Sequence, residues 1–214
     1  MSERFANLKK VPKEPAARLL ASKATKLQTK IDAPASASVE AVLTELEKKK
    51  AWVDLMRLLS VALPEREAVW WACIAARDIT GETATPCLKA AEAWVFEPND
   101  TNRAKVQTAL DVADMDDDTA LVATAALYAP GNMGPGEMAE HPAPPAAVSA
   151  CAFAMNMTTI GDREDPLGHL HWLIDRAVNI ARGGNGKVEP PGFAPVPEAA
   201  ADNGKANKDK EEKA

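Results

Sequence analysis

The sequence predicts an all-α protein, and three observations predict it. Apolar residues make up 46% of the 214, alanine dominates them, and only 5% of the chain is aromatic; alanine is the best helix former and lets helices approach closely. Runs of β-branched and aromatic residues that would build strands are few. Prolines recur where helical patterns begin, at Pro64, Pro86, Pro145 and Pro166, a position that tolerates proline because the missing N–H would have no partner there. Thr85-Pro86 and Asp165-Pro166 are the strongest of these starts, since a capping side chain precedes the proline.

The elements follow in order. Residues 1–35 are polar and basic and are interrupted by Pro12, Pro15 and Pro34. They read as a flexible basic arm with at most one short helix, near 16–29. The ordered domain is expected over 36–182. Ser36 or Ser38 can cap a first helix whose stripe is Val39, Val42, Leu43 and Leu46, with Lys48, Lys49 and Lys50 at its negative end. A second helix spans about 52–63 and a third about 64–79. In the third, Ala68 to Ala76 are apolar without a break, which requires neighbours on several sides. Gly81 stops it. Further helices are expected near 86–97, 100–115, 117–129, 145–160 and 165–182. The Gly- and Pro-rich stretch 130–145 is the long internal loop, a place where function often resides. Residues 183–214 read as a disordered polar tail. Seven to eight helices joined by short links give a helical bundle or a short α-solenoid of antiparallel hairpins. Trp52, Trp71 and Trp94 recur without a surrounding repeat, so a tetratricopeptide register does not fit.

Charge and cysteine content bound the function. A net charge of −6 disfavours nucleic acid as a partner. The basic excess lies in Lys9, Lys10, Lys13, Arg18, Lys23, Lys26 and Lys30, a segment suited to an acidic partner or to solvation. Cys73, Cys87 and Cys151 are odd in number and match no metal or redox spacing; reduced thiols and a polar N-terminus point to a cytoplasmic protein. No apolar run is long enough to span a membrane.

Candidate chemistry is sparse. His169 and His171, two residues apart on a helix, point away from each other and do not share a metal, and His141 lies in the loop. Asp114, Asp116, Asp117 and Asp118 resemble the start of a calcium loop, but Thr119 and Ala125 stand where glycine and glutamate are needed; these aspartates fit a helix N-terminus instead. No phosphate loop or nucleophile pattern is present, and no cofactor or metal is expected. The best candidate binding residues are Arg66, Trp70, Trp71 and Arg77, an aromatic pair bracketed by guanidinium groups that can stack on indoles. The favoured reading of the same residues is structural, a buried hinge of ion pairs at the ends of a core helix.

The stretch Leu63-Pro-Glu-Arg-Glu-Ala-Val-Trp-Trp-Ala72 resembles an uncharacterised bacterial all-helical family associated with type VI secretion gene clusters. That resemblance implies an accessory or adaptor role and carries over no active-site residue. The sequence therefore supports a non-catalytic helical adaptor that binds another protein. The alternative is a small enzyme whose site is built from loop 130–145 and nearby carboxylates. A deep polar pocket at that loop would favour the enzyme and a shallow apolar groove the adaptor.

Overall fold

The computed structural model describes residues 3–161 and 163–190. Among them are nine α-helices and no strand: α1 (Ala16–Ser22), α2 (Val39–Lys48), α3 (Trp52–Ala62), α4 (Glu65–Thr80), α5 (Pro86–Phe96), α6 (Asp100–Asp111), α7 (Ala120–Tyr128), α8 (Ala147–Thr158) and α9 (Pro166–Ala181). The last eight answer to the helices expected from periodicity, and α1 is the short helix of the N-terminal segment. The caps behave as read. Ser38 accepts from Ala41 N, Thr85 from Leu88 N, and Asp165 from Gly168 N, each satisfying an amide that the helix leaves free. Pro86 and Pro166 open their helices, whereas Pro64 stays outside α4 in extended backbone and Pro145 precedes α8 by two residues.

Two boundaries move for a local reason. α6 stops at Asp111 and α7 waits until Ala120. In the turn between them, Asp117 Oδ1 accepts from the Thr119 amide at 2.9 Å and from its hydroxyl at 2.6 Å. Short polar side chains compete with the helical backbone in this way.

α4 is central. It packs against α5, α7, α8 and α9, and Gly81, at φ 59°, ends it by returning its amide to Arg77 O at 2.9 Å. α3 packs against α1, α2, α8 and α9. Contacts between helices so distant in sequence close a bundle; in a solenoid each pair would touch only its neighbours.

The N-terminal segment departs from the flexible arm expected for it. Phe5 is 1% exposed, and Leu8, Ala16 and Leu19 are also buried. Lys10 N bonds Ala181 O at 2.8 Å, so the segment covers the free carbonyl end of α9. Arg182 reciprocates, donating to the carbonyls of Glu3, Arg4 and Ala6. The basic side chains find acids on the helices: Arg4 reaches Asp175 at 2.7 Å and Glu47 at 3.1 Å, Lys10 reaches Glu67 at 2.7 Å, and Lys23 pairs with Glu65. Further along, Asp32 N and Ala33 N donate to the Glu45 carboxylate at 2.6 and 3.0 Å, and Thr29 N donates to Asp54 at 2.6 Å.

The segment after α9, expected as the start of a disordered tail, lies along the bundle as far as Pro190. Trp70 Nε1 donates to Asn185 O at 2.8 Å and Trp172 Nε1 to Val188 O at 2.9 Å. Gly186, at φ +74°, lies so close to Ile74 and Ile180 that a Cβ there would stand 2.7 and 2.9 Å from their Cδ1 atoms. Residues 191–214 of the expected tail lie outside the described residues.

Candidate functional site

The two consecutive indoles of α4 diverge, as a step of about 100° per residue requires. Trp71 is wholly buried and donates from Nε1 to Leu173 O of α9 at 3.0 Å. Trp70 is half-buried and faces a groove of about 270 Å³ between the start of α4, the end of α5 and the segment after α9. Phe96 covers one side of that groove. Its ring meets Trp70 edge-on at 5.8 Å and is 71% exposed. Val95 and Ile180 complete the apolar floor, with Lys10, Arg66 and Glu67 around it.

Internal partners already engage the polar groups of this groove. Lys10 pairs with Glu67 at 2.7 Å. Arg66 Nε donates to Val95 O at 2.6 Å and Nη2 to Phe96 O at 3.4 Å, capping the carbonyl end of α5. The Trp70 indole N–H is held by Asn185. What faces outward is therefore mainly the Trp70–Phe96 surface.

Of the four candidate binding residues, the structure brings together Arg66 and Trp70. Trp71 lies in the core. Arg77, about 16 Å further along α4 by helical rise, forms a two-pronged bridge to Glu92 of α5 at 2.7 and 2.6 Å. The guanidinium–aromatic stacking expected at α4 occurs elsewhere, with Arg176 3.4 Å from the Trp172 ring centre and Arg57 4.9 Å from that of Phe153. Sequence reasoning missed Phe96, because a single aromatic in the last turn of a helix reads as core, and it missed Asn185, which lies beyond the last helix.

A second cavity, of about 440 Å³, opens beside α9 and is lined by Asp165, His171, Trp172, Asp175 and Glu189 among others. Two of its acids have structural partners: Asp165 caps α9 and Asp175 holds Arg4. His171 packs against Trp52 with ring centres 4.4 Å apart and planes inclined by 55°. Burial, reinforced by the Arg4 charge, lowers its proton affinity, so the ring is neutral near pH 7 and poorly suited to act as a general acid there. His169 faces another way, with Nε2 2.9 Å from Thr159 Oγ1, and His141 is exposed. Among the described residues no three His, Cys, Asp or Glu side chains are grouped to hold a metal ion.

The cysteines are poor nucleophiles. Burial raises the Cys73 thiol well above its ordinary range, pushes Cys87 up to about 11 and raises Cys151; the thiolate is the reactive form.

Loop 130–145 folds back on itself. Met133 N bonds His141 O at 2.8 Å, Ala143 N bonds Gly131 O at 3.1 Å, and a 3-10 turn spans Gly136–Glu140. Buried Arg103 of α6 anchors it, donating to Leu127 O at 2.7 Å and Asn132 O at 2.8 Å. Neither of the two cavities described above includes a residue of this loop.

These features define an all-α bundle with a shallow aromatic groove and a carboxylate-lined cavity, in which no helix among the described residues is long and apolar enough to cross a membrane. Residues 42–181 match a family of unknown function, DUF6931, and the chain belongs to it. The stretch Leu63–Ala72 falls within the matched region. No curated protein and no solved structure matches the chain.

Proposed function

We propose that this protein is a non-catalytic helical adaptor that binds another protein at the Trp70–Phe96 groove. The observation that carries this reading is a large exposed ring, Phe96, set edge-on to a half-buried indole, in a groove whose charged groups are already committed to one another. Such a surface offers apolar area and an aromatic anchor, which suits recognition of a partner's side chain. A bacterial secretion system is the proposed setting, supported by the resemblance of Leu63–Ala72. The alternative reading is a small enzyme whose site is formed by loop 130–145 and nearby carboxylates.

The test is affinity capture with the full chain from its native cell, followed by titration of each purified partner against the parent and Phe96→Asp. The expected result is a secretion component whose Kd rises at least about tenfold with the variant. Equal affinity of parent and variant for every captured protein would rule out the groove, and capture of only non-secretion proteins would rule out the setting.

A further inference from the structure

Exposed apolar side chains gather at the end of the molecule where α6 turns into α7. Met115 stands fully in solvent, at 103% relative exposure, and Val112 is 72% exposed. Met138 of loop 130–145 is 43% exposed. α6 links the two segments. A Cβ at Gly134 would stand 3.1 Å from Met138 Cβ and 3.9 Å from Gln107 Oε1, and Gln107 donates to Asp111 Oδ1 at 2.8 Å. Isolated exposed aliphatics are ordinary on protein surfaces; neighbouring ones on a polar background mark an interaction site more often.

The charge carried by these two segments is of one sign. Asp111, Asp114, Asp116, Asp118, Glu137 and Glu140 are all exposed, and the sequence has no lysine or arginine between Lys105 and Arg163. Elsewhere the acids meet cations of the same chain: Glu47 with Arg4, Glu67 with Lys10, Glu92 with Arg77, and Asp78 with Arg176. A surface serving solubility alone mixes both signs. Carboxylates concentrated in segments that carry no lysine or arginine attract and orient a positively charged partner, and methionine adapts its shape to whatever packs on it.

We infer that this end of the molecule docks a basic segment of a partner protein, with Met115 and Val112 as apolar anchors and the surrounding carboxylates steering it. This surface is separate from the aromatic groove. The hydroxyl of Thr85, just before α5, contacts that of Thr119 at the start of α7, whereas Phe96 closes the other end of the 11-residue α5, about 16 Å away by helical rise. The inference therefore stands independently of the groove, and both surfaces can be occupied together.

The probe is a labelled amphipathic peptide of about 18 residues with lysine on one face and leucine on the other, titrated into the full chain by fluorescence anisotropy. Saturable binding is expected, weakening as salt is raised to about 150 mM. In Val112→Ser/Met115→Ser the Kd should rise about tenfold or more, because each lost anchor removes buried apolar area. Phe96→Asp should leave it unchanged. The idea is overturned by absence of saturable binding, by equal binding to the double variant, by equally tight binding of a lysine–serine peptide, or by loss of binding in Phe96→Asp. Both substituted side chains stand in solvent, and circular dichroism checks that the double variant retains the parent fold.

Discussion

Trp71 is sealed in the core with its N–H on the backbone of α9, whereas Trp70, one residue earlier, lies half in solvent between Phe96 and the segment after α9. The residues are identical and adjacent, and the same helix holds both. Their environments differ because successive positions point to different neighbours. On the Trp71 side those neighbours are whole helices; on the Trp70 side they are a helix end and eight residues of irregular chain. Burial on the first side is set by the bundle and on the second by a short strap held through Asn179, Trp70 and Trp172, so the first indole is sealed and the second half-exposed.

Substitutions break this comparison in order of size. Trp71→Ala should cost about 3–5 kcal/mol, as expected for a large buried aromatic with its cavity left behind; denaturant titration measures it, and a loss under about 1 kcal/mol would remove Trp71 from the core. Phe5→Ala should cost about 3 kcal/mol by the same measurement. That would show that the N-terminal segment shares in folding stability, whereas a neutral result would restore it to a free arm. Trp70→Ala should cost less, about 1–2 kcal/mol. It should also speed hydrogen exchange of the Gly184 and Gly186 amides, which bond Asn179 O and Asn179 Oδ1, by freeing Asn185. Unchanged exchange there would mean that the strap does not depend on the indole.

Acid sharpens the contrast from the α9 side. Burial, then the charge of Arg163, lowers the proton affinity of His169, and burial with Arg4 lowers that of His171. The unfolded chain therefore binds protons first as pH falls. Stability held above about pH 6.5 should decline below it, with a shallower decline in His169→Gln/His171→Gln when thermal midpoints are followed. Glu45 has its own window. The Asp32 amide first, then Lys49, hold its carboxyl at about 2 against an ordinary 4.5, so its contribution is present above 4.5 and is lost as pH falls toward 2. The smallest effect belongs to Phe96→Ser, within about 0.5 kcal/mol of the parent because the ring is largely in solvent. A larger loss would make the groove a structural element.

The parts of the fold that were legible had local causes. Ser38, Thr85 and Asp165 cap from within three residues, and the unbroken run Ala68–Ala76 demanded surrounding helices. Docking of the N-terminal segment was illegible because Phe5, Leu8 and Leu19 are scattered over a short 3-10 turn, irregular chain and the seven-residue α1, too short to show a periodic stripe, and part of the segment's support, the end of α9, is some 170 residues away. Arg66 and Trp70 were found because they lie one turn apart. The Arg77–Glu92 bridge is of the kind that the structural reading of that helix end expects, but the spacing along one helix did not show which acid on the next helix would meet it. Phe96 gave no signal, since exposure in a last turn depends on packing that no single element encodes.

The raised thiols of Cys73 and Cys87, both buried, turn the bundle into its own stopwatch. A thiol-modifying reagent at neutral pH reacts with them only when α4 or α5 swings away from its neighbours, because burial withholds both access and the thiolate. The pace of labelling at each cysteine therefore counts openings of its own helix, and the two counts together would show whether α4 and α5 part from the bundle separately or as one unit.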